Sequence, residues 1–159
     1  MPDSSPAEKQ DRQLVLDEMI TYRLARLQAR LNAQATRILK ENGGLTLTQW
    51  RILVLLDLRG EANLAQLVRE TKFDKAQLSR AVKTMLQNGL LTSKANETDQ
   101  RQILLAMTGT GRAAFEKALP HMRGRQQILL ASLSRQQRED LFAALDRIEA
   151  ALTEGGTQR

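Results

Sequence analysis

From Asp11 to Glu41 the chain carries a helical pattern in which Ile20, Leu24, Leu27, Leu31 and Ile38 recur at three-and-four spacing. Such a narrow stripe suits a seam between helices. Gly43-Gly44 ends it. Thr48 is the expected N-cap of a second helix, Gln49 to Leu58, whose run Ile52-Leu53-Val54-Leu55-Leu56 is apolar all round and belongs at the centre of a core. After Arg59-Gly60 a short helix is predicted from Asn63 or Leu64 to Glu70, with Leu64, Leu67 and Val68 inward. Thr71-Lys72-Phe73 then precede Asp74, the N-cap of a helix over Lys75 to Asn88 that Gly89 closes as its C-cap.

Two short helices joined by a tight turn, one anchored by Leu67 and Val68, the other by Leu78, Val82 and Met85, form a helix-turn-helix pattern. Leu90-Leu91-Thr92, the polar stretch Ser93 to Gln102, and Ile103 to Met107 read as a β-hairpin, which directly after the second helix makes a wing. Thr108 caps a further helix, from Gly109 or Thr110 through Leu133, that Pro120 is expected to kink or to split near Leu119. Ser134 and Gln137 form a capping box for the last helix, Arg135 to Thr153, with a second apolar stripe of Leu141, Ala144, Leu145, Ile148 and Leu152.

Composition narrows the class. The 159 residues are 42% hydrophobic but only 3% aromatic, so the core must come from aliphatic side chains, which suits helix on helix. With no cysteine there is no disulfide, thiolate-metal site or thiol redox sensor, and the cytoplasm is the expected compartment. No apolar run reaches the roughly 18 residues of a membrane span, so neither insertion nor secretion is expected. Net charge is +6 and is unevenly placed: residues 1–22 carry −3, 23–61 carry +4, 62–112 carry +4 and the remainder +1. A central positive charge favours an acidic partner, nucleic acid first. Arg23, Arg26, Arg30 and Arg37 fall within about 60° of one another on a flank of the first helix. They are read as a solvated face, or one paired with Glu139, Asp146 or Glu149, with nucleic-acid backbone contact as the alternative.

At this point the residues resemble a known family. Leu45-Thr46-Leu47-Thr48-Gln49-Trp50-Arg51-Ile52-Leu53, Leu64-Ala65-Gln66-Leu67, Ser79-Arg80 with Leu86 and Gly89-Leu90-Leu91, Asp99-Gln100-Arg101, and Met107-Thr108 with Gly111 are similar to the MarR (multiple antibiotic resistance regulator) family of winged helix-turn-helix regulators. The match is close over residues 45–112. It implies a mostly α fold with a small β-hairpin wing, divided into an N-terminal dimerisation helix (1–44), a winged helix-turn-helix DNA-binding domain (45–111) and C-terminal dimerisation helices (112–159). The implied function is a homodimeric, sequence-specific repressor on a pseudo-palindromic operator, released by a small, often aromatic, ligand.

Residue roles follow in part from helix geometry. With Leu78, Ala81, Val82, Met85 and Leu86 turned to the core, the opposite face offers Ala76, Gln77, Arg80, Lys83, Thr84 and Gln87, with Lys75 and Ser79 at its edge. In a major groove Gln77 suits adenine, Arg80 guanine and the Ala76 methyl thymine, while Lys83 and Lys72 suit phosphates. The resemblance implies that Arg101 enters the minor groove from the wing, its guanidinium held by Asp99, with Lys94 nearby. Ser93, Ala95 and Gln100 depart from the family's basic or proline wing positions, so the wing carries less charge. For an effector the candidates are Met19, Tyr22, Trp50, Arg51 and His121, an aromatic wall plus a cation for an aromatic carboxylate. The absence of cysteine excludes thiol-based peroxide sensing.

An enzyme is not expected: the chain has one histidine, no phosphate-cradling glycine loop, no metal-ligand spacing and no nucleophile with a candidate base, and no cofactor is implied. The alternative is a winged-helix module for protein–protein contact without sequence-specific DNA binding. A membrane role for the basic first helix lacks interleaved Trp or Phe.

Overall fold

The first long helix stops where its glycine pair predicts but starts later than the helical pattern from Asp11 implies. In the computed structural model, which describes residues 16–71, 73–95 and 102–155, α1 spans Ile20–Gly43. Leu16 to Glu18 are helical, and Met19 is extended between them and α1, with φ −74° and ψ 116°. Methionine has no side-chain oxygen with which to cap, and no side-chain bond closes this start. The predicted single helix is therefore interrupted at Met19, and its part from Asp11 to Val15 lies outside the described residues. At the other end Gly44 takes the left-handed conformation, φ +64°, and its N–H reaches the Leu39 carbonyl.

The second helix, α2, is Leu47–Arg59, and its cap is Thr46, not Thr48. The Thr46 hydroxyl accepts from Gln49 N–H at 3.2 Å while the Gln49 side chain accepts from Thr46 N–H at 2.9 Å. This reciprocal box satisfies two N–H groups that a helix start leaves open. Strand β1 (Glu61–Asn63) follows, then α3 (Leu64–Thr71), α4 (Lys75–Gln87), β2 (Leu91–Ala95), β3 (Ile103–Met107), α5 (Gly109–Ala131) and α6 (Arg135–Gly155). The fold is mostly α with a small antiparallel sheet, as the sequence implied.

That sheet has three strands in the order β1-β3-β2, one more than the predicted hairpin. Ala62 pairs Leu105 on one side of β3, and Ser93 pairs Leu105 on the other. β2 also runs on to Ala95, beyond the expected Thr92. Asn63 ends β1 and starts α3: its side chain accepts from Gln66 N–H, and Gln66 returns the bond to Asn63 N–H, each at 2.8 Å.

The chain divides into two units, residues 1–119 and 120–159. In the first, Leu39, Ile52, Leu53, Leu56, Leu67, Leu78 and Met85 are sealed from water, and α2 packs on α1, α3, α4, β1 and β3, the central place its apolar run predicts. Trp50 stacks on Phe115 with ring centroids 5.0 Å apart, and Asp57 pairs with Arg112, so the start of α5 is fastened to α2. Thr108 caps α5 as predicted, accepting from Gly111 N–H at 3.0 Å. Its hydroxyl also lies 2.6 Å from the Gly89 carbonyl, joining α5 to the end of α4. Gly111 has to be glycine: a Cβ there would stand 2.1 Å from the Leu90 carbonyl oxygen.

The second unit is the remainder of α5 and α6. Pro120 lies inside one continuous helix and does not split it. The predicted box closes α6, Ser134 N–H to Gln137 at 2.8 Å and Gln137 N–H to Ser134 at 3.2 Å. Among its described side chains none is buried: Leu141, Phe142 and Leu152 are exposed, Leu145 and Ile148 half-buried. No helix among the described residues is long and apolar enough to cross a membrane.

Candidate nucleic-acid interface

Helix α4 owes its start to Asp74, whose carboxylate accepts from Gln77 N–H at 3.0 Å. It ends at Asn88, with Gly89 at φ +69° and Leu90 N–H bonded to the Met85 carbonyl at 2.9 Å, so Gly89 is the left-handed residue after the cap. Between these stops, the helix is divided cleanly. Leu78, Val82 and Met85 are buried and Ala81 and Leu86 half-buried, while Lys75, Ala76, Gln77, Ser79, Arg80, Lys83, Thr84 and Gln87 are exposed.

The exposed face is positive and open. From Lys75 to Gln87 there is no acidic residue, and among the described residues no ion pair engages Lys75, Arg80 or Lys83. The Thr84 hydroxyl bonds back to the Arg80 carbonyl at 3.0 Å. Gln77 is tethered, its amide nitrogen donating to the Thr48 hydroxyl at 3.3 Å. The sequence places Gln77 on a helix and makes Thr48 a candidate cap, and it has no signal for this contact between them.

The turn before α4 is also braced. Thr71 Oγ1 bonds the Leu67 carbonyl at 2.8 Å, Phe73 N–H reaches that hydroxyl at 3.3 Å, and the Arg51 guanidinium lies 4.8 Å above the Phe73 ring. On the sheet side, Lys94 of β2 is exposed and pairs with Glu61 of β1 at 2.7 Å. Asn63 donates to the Gln102 side chain at 2.7 Å, which ties the base of the hairpin to the start of α3. Both contacts depend on β1, which sequence reasoning missed. Asp99 and Arg101, and Lys72 before α4, lie outside the described residues.

A family model described as MarR family matches residues 43–102, from the end of α1 to the foot of β3. A crystal structure of a "probable transcriptional regulator" from Pseudomonas aeruginosa is 32% identical, covering 84% of this chain and 98% of that one with a TM-score of 0.69. The chain belongs to the MarR family. Another structural neighbour is the M. tuberculosis transcriptional regulator MosR, crystallised in complex with DNA: 29% identical, 84% of this chain and 98% of that one, TM-score 0.67. The HTH-type transcriptional regulator BilQ of Clostridium symbiosum (strain WAL-14163) is 24% identical over 105 residues, 66% of this chain and 73% of its own. As a MarR-family chain the protein is a transcriptional regulator.

Of the effector candidates in the first unit of this MarR-family chain, two line a common cavity. A cavity of about 310 Å³ is lined by Trp50, Arg51, Val54, Leu55, Glu70 and Thr71, so it unites Trp50 and Arg51. Trp50 is only 8% exposed and is largely a core residue against Phe115. Glu70 is held by Arg59, whose Nε lies 3.1 Å from its carboxylate. Met19 and Tyr22 are not among the lining residues; Tyr22 lies under Arg26 at 5.7 Å. His121 is exposed in the second unit. Among the described residues no three potential metal ligands cluster.

Proposed function

We propose that this regulator is a homodimer that binds double-stranded DNA in a sequence-specific manner and represses from a pseudo-palindromic operator. The observation that carries the reading is the outer face of α4, where Lys75, Arg80 and Lys83 stand exposed without acidic neighbours on their own helix. A helix of this kind suits a major groove: Arg80 for guanine O6 and N7, Gln77 for adenine, Ala76 for a thymine methyl and Lys83 for a phosphate, with Thr84 on the same face and Lys75 and Ser79 at its edge. MosR, crystallised with DNA, supports the assignment. The wing, through Lys94, Asp99 and Arg101, takes the adjoining minor groove. Lys94 contributes less than its charge suggests, because Glu61 already pairs with it.

Two half-sites on one face of the duplex lie about 34–36 Å apart, which calls for two reading heads. The apolar stripe of α1, with Ile20, Leu24 and Leu27 exposed, and that of α6, with Leu141 and Leu152 exposed, supply surface for a second copy. The domain roles are accordingly 1–44 and 112–159 for dimerisation and 45–111 for DNA.

The effector is a small aromatic carboxylate held in the cavity beside Trp50, its carboxylate on Arg51. Drawing Arg51 from the Phe73 ring alters the brace of the turn that aims α4. A ligand that favours the altered aim shifts the population away from the DNA-competent state. Selection of the protein against random duplex DNA tests the whole reading. An enriched inverted repeat with half-site centres about one helical turn apart is expected. Enrichment of a single site without symmetry overturns the dimeric reading, and no enrichment overturns sequence-specific binding.

A further inference from the structure

Thr48 and Gln77 are 29 residues apart in sequence, one in the first turn of α2 and the other in the first turn of α4, yet their side chains meet at 3.3 Å. Thr48 has no capping duty, because Thr46 closes α2 with Gln49. The turn that carries Thr48 is therefore fixed by a separate pair of bonds. Gln77 is fixed from its own side too, by the bond from its backbone N–H to Asp74.

A glutamine amide has two protons and one carbonyl oxygen. The major-groove edge of adenine uses one of each: the carbonyl accepts from the N6 amino group and one N–H donates to N7. The second proton is left over, and it needs a partner when water is expelled from the groove. An untethered amide turns freely about its broad terminal torsion, and reversed it offers its protons to guanine O6 or N7 instead.

We propose that Thr48 is a positioning residue for sequence readout: its hydroxyl, bonded to the Gln77 amide, holds that side chain in the aim from which it reads adenine. The inference rests on the DNA-reading role of α4 proposed above. Thr48 does not itself touch a base; it acts by narrowing the positions that the Gln77 amide samples.

The test is selection from random duplex DNA with the wild type, Gln77→Ala, Thr48→Val, Thr48→Ala and Thr48→Ser, each shown by thermal unfolding to be folded. Gln77→Ala erases an adenine preference at one position of each half-site. Thr48→Val and Thr48→Ala each weaken that same preference about threefold, the order of one hydrogen bond, and leave the other positions unchanged. Thr48→Ser, which keeps the hydroxyl, restores it. Equal loss at every position on changing Thr48 marks a backbone contact and overturns the proposal, as does an unchanged adenine preference. A wild type that enriches a motif in which Gln77→Ala alters no position overturns the proposal alone. A wild type that enriches nothing overturns the DNA reading and the proposal with it.

Discussion

Arg80 is the residue on which the proposed base reading most depends, because it stands on the open face of α4, exposed and without an ion pair among the described residues. Replacing it with alanine is expected to cost about 1–3 kcal/mol on the selected operator and to relax preference at one base position. Titrations against single-base operator variants check this, and an equal loss on every sequence would leave Arg80 a phosphate contact only. Gly111 tests packing rather than recognition. A methyl group there meets the Leu90 carbonyl at 2.1 Å, so Gly111→Ala is expected to destabilise by roughly 2–3 kcal/mol, and an unchanged urea midpoint contradicts that close approach. Individual faces were legible in the sequence: Leu78, Val82 and Met85 are buried where their spacing put them, and the residues assigned to the outer face of α4 are all exposed. Contacts between distant side chains, Gln77 with Thr48 and Lys94 with Glu61, have no periodicity to betray them.

At the scale of the element, the helices follow from their caps and glycines. Asp74, Thr108 and Ser134 cap α4, α5 and α6 as their positions predict. The misplaced cap of α2 is instructive, since Thr46-Leu47-Thr48 offers two hydroxyls and only Thr46 has a glutamine three residues on; Thr48 is followed there by Arg51. The capping box was readable and outweighs proximity to the apolar run. Thr46→Ala is therefore expected to lower stability by about 1 kcal/mol in denaturant unfolding, with Thr48→Ala costing distinctly less. The reverse order would return the cap to Thr48. Strand β1 escaped because three residues cannot display an alternating pattern, and Glu61-Ala62-Asn63 becomes a strand only through pairing with β3 more than forty residues later. The break at Met19 has no local signal, since no glycine or proline stands between Leu16 and Tyr22.

On the scale of the whole molecule, α1 and α6 both leave apolar side chains open, Leu24 and Leu27 on the one and Leu141 and Leu152 on the other, beside single exposed residues such as Leu58, Ile103 and Ile128 elsewhere. The paired change Leu24→Glu and Leu27→Glu falls on exposed positions of α1, so it is expected to leave helicity intact and, if the proposed homodimer forms through this face, to yield a monomer in sedimentation where the wild type sediments as two chains. A dimer that survives it places the interface elsewhere. Family membership and fold class were readable from residues 45–112, whereas the effector constellation was not. Its five candidates came from residue type alone, and the cavity unites only Trp50 and Arg51.

The central claim, that the positive face of α4 holds operator DNA, is tested most directly by titrating the selected duplex with the wild type and with Lys75→Ala/Arg80→Ala/Lys83→Ala across a range of salt. Two chains per duplex are expected, with wild-type affinity that falls steeply as salt rises. The triple variant should keep its fold, lose specific binding and show a shallower salt dependence by about three phosphate-sized steps at most. Wild-type affinity and salt dependence in the triple variant would contradict it.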